Sequence, residues 1–288
     1  MELREIFFAE EENRWITNSE LLQALQQIKA DQCKTLFIHT DLGAIGTVNP
    51  GLKRSELLKA VCEVLLALDV DTIVFPAFTF SFANQEAFDV NKSTAKYMGT
   101  LNEYVRKQPG AVRSLDPLLS VIAVGKEAES FYSVGNRCMS NGGIFSKLHQ
   151  MEDVRFLFLG AKPTHCFTYA HYVEAAYGVP YRFEKWFEGQ VTDRDGNTYK
   201  DRFSLFAACQ GFYPGPMIPF EKQMLKNGWY QQKTIGNTNL ICFREEDAYQ
   251  AVWNALEEDL FGFSEGPLTL DDLKHQMKPP IGRVVMVP

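Results

Sequence analysis

The sequence predicts an α/β fold on three observations. Short, continuously apolar runs read as buried strands, segments of helical periodicity lie between them, and an Asp195-Gly196 dipeptide between two polar strand-like stretches marks a hairpin. Thr17-Asn18-Ser19-Glu20 has the spacing of a capping box, in which hydroxyl and carboxylate each accept from the other residue's backbone N–H. Leu21, Leu22, Leu25 and Ile28 follow at helical period, so a first helix is expected from about Asn18 to Lys29. Thr35-Leu36-Phe37-Ile38-His39 has the pattern of a strand covered on both faces whose C-terminal end opens into a loop. Arg54 to Leu68 carries Leu57, Leu58, Val61, Val64, Leu65 and Leu68 toward a core, and Thr72-Ile73-Val74-Phe75-Pro76 is a second buried strand. A helix between two such strands makes a βαβ unit with the strands parallel.

From Thr79 to Asp116 the chain is polar and aromatic with little periodicity, which predicts long loops over the strand ends. Leu119 to Val124 and Arg155-Phe156-Leu157-Phe158-Leu159-Gly160 are further strands, and Tyr169 to Tyr177 is a helix stopped by Gly178 and Pro180. Gln190 to Arg194 and Thr198 to Arg202 flank Asp195-Gly196, giving a β-hairpin excursion near residues 190–202. Gly211 to Pro216 is irregular, and Glu246 to Leu260 alternates apolar and acidic residues as a late surface helix does. No repeat or linker-like shift in composition divides the chain, so residues 1–288 read as one domain. From about Gly266 a tail containing Pro279-Pro280 is not expected to form regular structure.

With 45% hydrophobic residues in 288, the chain can bury a large core. Its net charge of −7 is dispersed without a basic stripe, which argues against nucleic acid as a partner. An acidic surface suits a cationic substrate, and it is equally the solubilising balance of a cytoplasmic enzyme. The six cysteines, Cys33, Cys62, Cys138, Cys166, Cys209 and Cys242, occur singly with no C-x-x-C, so neither zinc spacing nor a disulfide framework is present. They read as reduced cytoplasmic thiols. Met1-Glu2-Leu3-Arg4-Glu5 lacks the features of a secretory signal, and no apolar run approaches the roughly 18 residues that span a bilayer.

His171 and Glu174 stand three apart on the predicted helix and project from one face. A carboxylate on one ring nitrogen fixes the tautomer and leaves the other nitrogen able to take a proton, as acyl transfer to an amine requires. Such a pair also has an ordinary reading as an exposed or capping contact. His165 follows the strand ending at Gly160 and is a second candidate base, or a solvated loop histidine. His39 ends the first strand, and the Thr40-Asp41-Leu42-Gly43 turn after it offers N–H groups and a hydroxyl to an anionic or carbonyl-rich ligand, or is an ordinary turn. Asp193-Arg194-Asp195-Gly196-Asn197 lacks the later ligands of a calcium loop, and no glycine-rich phosphate motif or G-x-S-x-G elbow is present.

Taken in order, these segments resemble the aminoglycoside 3-N-acetyltransferase (antibiotic N-acetyltransferase) family. Leu36 to Gly46 is similar to its first strand and donor loop, and Thr72 to Thr79 to its second. Gly99-Thr100-Leu101 with Pro109-Gly110-Ala111-Val112-Arg113-Ser114 resembles the stretch before the next strand. Phe156 to Gly160 with Thr168-Tyr169-Ala170-His171-Tyr172-Val173-Glu174 resembles the segment bearing the catalytic histidine, and Ile235-Gly236-Asn237-Thr238 a later turn. The resemblance covers about Thr17 to Leu260. It implies a three-layer α/β/α domain with a largely parallel or mixed central sheet, acetyl-coenzyme A as donor, His171 as base toward an amino group and Glu174 assisting it. His39, Thr40, Gly43, Thr79, Arg113, Ser114 and Ser120 match donor-binding positions, and no metal, nicotinamide or flavin is implied. Coenzyme A and an amine or amino-sugar acceptor are the expected partners, without nucleic acid or membrane, and a homodimer is left open.

Two departures bear on the acceptor. Leu115-Asp116-Pro117-Leu118-Leu119-Ser120 stands where the family has a histidine-containing stretch, and Gly143-Ile144 replaces a serine-proline pair. An amino sugar of surface-polysaccharide or antibiotic biosynthesis is therefore as good an expectation as an aminoglycoside drug. A polycationic acceptor would want Glu86, Asp89, Asp116, Glu174 and Glu184 to converge. The alternatives are a diverged coenzyme A-binding protein without acceptor chemistry, and a thioesterase.

Overall fold

The computed structural model describes residues 2–209, 211–266, 268, 269 and 272, so nearly all of the tail expected from Gly266 lies outside the described residues. The chain opens with β1 (Glu5–Ala9), β2 (Arg14–Thr17) and α1 (Asn18–Gln27), followed by β3 (Thr35–Thr40), β4 (Thr47–Val48), α2 (Arg54–Leu66) and β5 (Thr72–Pro76). Next come β6 (Phe88–Asp89), α3 (Thr100–Arg106), β7 (Val112–Arg113), β8 (Val121–Gly125), α4 (Ile144–Gln150) and β9 (Val154–Leu159). The last third holds α5 (Pro163–Cys166), α6 (Ala170–Tyr177), β10 (Arg182–Thr192), β11 (Thr198–Ala208), α7 (Ile218–Lys226), β12 (Gln231–Ile235), β13 (Thr238–Arg244) and α8 (Glu245–Glu258). The capping box that starts α1 is formed as its spacing requires: Glu20 N–H donates to Thr17 Oγ1 at 3.2 Å, and Thr17 N–H to Glu20 Oε2 at 2.8 Å. The stretch from Thr79 to Asp116, expected to be all loop, contains α3, whose seven residues are too few for their periodicity to stand out.

Seven strands form the main sheet in the order β12-β13-β9-β3-β5-β8-β7. β3 is parallel to β5 and to β9, and every other pairing in the sheet is antiparallel. The sheet is thus mixed, with three parallel strands at its middle. Alternation along these strands divides the apolar residues cleanly: Phe37, Val74, Phe156 and Phe158 join one core, and Leu36, Ile38, Ile73, Leu157 and Leu159 the other. α4, α6, α7 and α8 supply the first core with Phe145, Val173, Phe220 and Val252, while α1, α2 and α3 supply the second with Leu25, Val61 and Leu101. Burial on both faces is why the central strands read as unbroken apolar runs.

The hairpin is longer than residues 190–202: β10 and β11 pair continuously from Arg182↔Ala208 to Thr192↔Thr198. Asp193 organises its turn, accepting from Asp195 N–H at 3.0 Å and Asn197 N–H at 2.9 Å, with Gly196 at φ +87°. The parallel strands β3, β5 and β9 end together, so His39, Thr40, Ala77 and Gly160 share one edge of the sheet. Gly160 there has φ +81°, and a Cβ on it would lie 2.1 Å from the Asp41 carbonyl oxygen. Gly236, at φ +55° in the β12–β13 turn, approaches the Ile45 carbonyl as closely.

Gly160→Ala should cost at least ~2 kcal/mol, because strain and backbone collision act together. Gly110→Ala, at φ +78° with open space around it, should cost only about 1 kcal/mol. Urea denaturation of both variants measures the difference, and equal losses would refute the close approach at Gly160.

Candidate active site

α6 has eight residues and ends at Gly178, whose left-handed φ of +84° lets its N–H return to the Glu174 carbonyl at 3.0 Å. Val179 and Pro180 then turn the chain so that Tyr181 and Arg182 fold back against the helix they have just left. On α6, His171 Nδ1 and Glu174 Oε2 are 2.5 Å apart. Glu174 is completely buried, whereas about a third of the His171 side chain (31%) is exposed. Tyr181 donates its hydroxyl to Glu174 Oε1 at 2.8 Å, and Arg182 Nε stands 2.9 Å from Oε2 as an ion pair. Tyr181 is itself fixed by stacking on Phe212, with ring centroids 4.2 Å apart.

These contacts set the protonation states. Burial works to raise the Glu174 carboxyl, but the Arg182 guanidinium, His171 and Tyr181 outweigh it and hold the group below the ordinary carboxylate value. For His171, burial is the largest influence and lowers its pKa; Arg182 lowers it further, against the opposing pull of Glu174. An ionised carboxylate only accepts hydrogen bonds, so Nδ1 of the neutral ring must carry the proton. Nε2 then presents its lone pair, and the partly exposed imidazole is a base whose tautomer is dictated by its neighbour.

At the sheet edge His39 is the last residue but one of β3, buried and stacked on Phe158 with rings 4.7 Å apart. Burial pushes its imidazole down to about 3, and its buried Nε2 has no hydrogen-bond partner. Thr40 donates to Asn102 Oδ1 at 3.2 Å, and Asn102 Nδ2 to the Pro76 carbonyl at 2.7 Å, tying the ends of β3 and β5 to α3. Gly43 lies in the short 3-10 turn after β3.

Thr79, Arg113, Ser114 and Ser120 lie around the β5, β7 and β8 segments. Arg113 is buried and donates to Ser120 Oγ at 3.1 and 3.2 Å, to the Ala77 carbonyl at 2.9 Å and to the Ser93 carbonyl. Burial lowers its pKa to about 10. Thr79 donates to the Pro117 carbonyl at 2.9 Å, Ser120 to the Ala77 carbonyl at 2.7 Å, and Ser114 Oγ accepts from Val121 N–H at 2.9 Å. These hydroxyls are therefore committed to holding backbone segments together.

His165 is exposed on α5, its Nδ1 2.8 Å from Thr164 Oγ1. Of the five acids named above, Glu184 is clasped by Arg137 through two contacts of 2.6 Å, and Asp89 lies 3.2 Å from Lys92 Nζ. Asp116 is fully buried, accepts from Leu118 and Leu119 N–H at 2.8 and 2.9 Å, and has its pKa raised by burial. Glu86 is exposed. The partners of Glu174 were not foreseen from sequence: Tyr181 and Arg182 lie seven and eight positions beyond it, and the only signal for them was the chain-reversing Gly178-Val179-Pro180. Among the described residues no helix is long and apolar enough to cross a membrane, and no group of three or more His, Cys, Asp or Glu is placed to hold a metal ion.

Comparison with known proteins bears on this geometry. A family model described as aminoglycoside 3-N-acetyltransferase matches residues 37–257. Aminoglycoside N(3)-acetyltransferase III of Salmonella is 25% identical over 199 residues, covering 62% of this chain and 68% of that protein. The crystal structure of aminoglycoside acetyltransferase AAC(3)-Xa superposes with a TM-score of 0.70 at 23% identity, over 85% of this chain and 94% of that one. AAC-IIIb in binary complex with CoASH gives a TM-score of 0.68 at 19% identity, over 87% and 98% of the two chains.

Arg182→Met should destabilise the protein by on the order of 3 kcal/mol at pH 7, because it strips a buried carboxylate of its cation. In the wild type both groups have lowered values, so stability is lost as pH falls below the ordinary value of 6.5 for His171 and again below 4.5 for Glu174. The variant should lose less on acidification, since both values move upward. Denaturant titrations across pH 4 to 8 (~1 unit steps) test this, and parallel profiles for the two proteins would contradict it.

Proposed function

The chain belongs to the aminoglycoside 3-N-acetyltransferase family, and from that premise we propose that it transfers an acetyl group from acetyl-coenzyme A to the amino group of an amino sugar or aminoglycoside-like acceptor. His171 is the general base and Glu174 its orienting carboxylate. The observation that carries this reading is the pair itself: a solvent-reachable imidazole on a carboxylate that is wholly buried and held by Tyr181 and Arg182. A coenzyme A donor is supported by the structurally similar AAC-IIIb, solved with CoASH, and an aminoglycoside-type acceptor by the name of the Salmonella relative.

The chemistry asked of the residues is modest. An acceptor amine arrives as an ammonium ion and is not a nucleophile until a proton is removed. His171 Nε2 takes that proton, and Glu174 stabilises the imidazolium through Nδ1–H. The amine nitrogen bonds to the thioester carbonyl carbon and the C–S bond breaks; the imidazolium proton passes to the departing thiolate, and the second proton, shed by the nitrogen as it becomes an amide, goes to the freed imidazole and from it to solvent. Arg182 keeps Glu174 ionised through the cycle. At the sheet edge, His39, Thr40 and Gly43 offer the donor a surface already ordered by Asn102 and Gly160, and the unpaired His39 Nε2 is a polar atom there in want of a partner.

The acceptor is better drawn as an amino sugar than as a polycationic drug. Glu184 is neutralised by Arg137, Glu174 by Arg182, and Asp116 is buried, so the acids that would gather several ammonium groups are already engaged. Thiol release measured over a panel of amines, aminoglycosides and nucleotide-linked amino sugars tests this. The expected result is amine-dependent release, strongest with an amino sugar. Thiol release without any amine would mark a thioesterase, and donor binding without release a diverged binding protein.

His171→Ala should abolish turnover while coenzyme A binding by calorimetry persists. The acid limb of kcat/KM should fall below the ordinary histidine value of 6.5. Glu174→Gln removes the influence that raises the imidazole, so its residual activity should have an acid limb at still lower pH. A limb that moves upward would contradict the assignment.

A further inference from the structure

His171 and Glu174 occupy one side of α6, and Tyr169, the residue that precedes the helix, points into the core on another. Tyr169 is fully buried, and its hydroxyl donates to Glu245 Oε1. Glu245 is the first residue of α8, is 6% exposed, and also holds His149 Nδ1 of α4 at 2.8 Å. His149 is in turn stacked on Tyr249 of α8, with rings 4.4 Å apart at 18°. One carboxylate therefore ties α4, α6 and α8 together two residues before the base.

A helix of two turns is not stable alone and takes its position from its anchors. α6 has no side-chain cap at its N-terminus. Its second half is fixed by Glu174 with Tyr181 and Arg182, and its first turn is fixed by Tyr169 on Glu245. A displacement of about 1 Å at a catalytic group can cost as much as 10²-fold in rate. The aromatic packing of Tyr169 against Phe156 at 4.9 Å and Phe167 at 5.6 Å holds the ring, but a ring held by packing can still slide along its plane. The hydrogen bond removes that freedom.

Resting on the function proposed above, we infer that Tyr169 and Glu245 are positioning residues: their hydrogen bond sets the height and rotation of α6, and so the aim of His171 Nε2 at the acceptor amine. Neither touches substrate in this assignment, and the effect belongs to kcat.

Tyr169→Phe keeps the ring and leaves Glu245 paired with His149, so the unfolding temperature should stay within a few degrees of wild type. Its kcat for amine-dependent thiol release should fall about tenfold, with the donor KM unchanged within about twofold. Glu245→Ala should reproduce this loss, whereas Glu245→Gln, which still accepts from the tyrosine, should retain kcat within about twofold. A readout independent of activity is the downfield proton resonance of His171 Nδ1–H, identified by its disappearance in His171→Ala. It should shift or broaden in Tyr169→Phe and remain in place in Glu245→Gln.

An unmoved resonance in Tyr169→Phe overturns the inference, as does an undiminished kcat in that variant, or a loss in Glu245→Gln as deep as in Glu245→Ala. If the wild type releases thiol with no amine at all, the acetyltransferase reading fails, and the resonance still decides whether Tyr169 positions His171.

Discussion

The geometry around His171 depends on an anion placed where no water reaches it. Glu174 is completely buried, and a carboxylate in that position is tolerable only if its charge is matched and its oxygens accept hydrogen bonds. Tyr181 donates to one oxygen and His171 is hydrogen-bonded to the other, beside which the Arg182 guanidinium supplies the matching charge. The turn at Gly178-Val179-Pro180 exists in its observed form because Tyr181 and Arg182 must return to the helix, and the first residues of the long hairpin start where that return ends. The imidazole is thereby held in one tautomer by a group that cannot itself reach solvent or substrate.

Around this anion the fold supplies two kinds of rigidity. The central strands are apolar on both faces and commit their side chains to the two cores, leaving only their ends available for polar work. At those ends, Asn102 bridges Thr40 and the Pro76 carbonyl, and Arg113 gathers Ser120 with the Ala77 and Ser93 carbonyls. These buried polar groups satisfy backbone atoms where the sheet stops doing so. They tie the loops above the strands to the sheet edge.

Much of the fold was legible because it rests on local signals. Thr17 with Glu20, the apolar runs at Leu36 and Phe156, and the Gly178 stop act over a few residues, and the structure places elements at each. What was not legible depends on partners distant in sequence. β12 is polar over most of its length and becomes a strand only by pairing with β13, although β13 itself carries a local signal in the buried run Leu240 to Phe243. Most of β10, from Arg182 to Gly189, is half-buried or exposed and of mixed polarity, and its strand character comes from its partner β11. In the site, the i, i+3 spacing exposed the His171/Glu174 pair, but whether such a pair faces water or a buried cation is decided by Arg182, which no periodicity connects to it. Tyr169, Glu245 and His149 come from three segments far apart in the chain, and nothing local announces their meeting.

The segment from Asp41 to Ile45 is braced on both flanks, since Gly160 abuts the first carbonyl of the stretch and Gly236 the last, each so closely that no side-chain carbon would fit. Such a stretch arrives at a binding event already shaped. A molecule docking there would give up little to conformational adjustment of the protein, and selectivity would come from exclusion of misfitting contours rather than from moulding around them. It also means that the three turns concerned are mechanically coupled: lengthening or bulking any one displaces the other two.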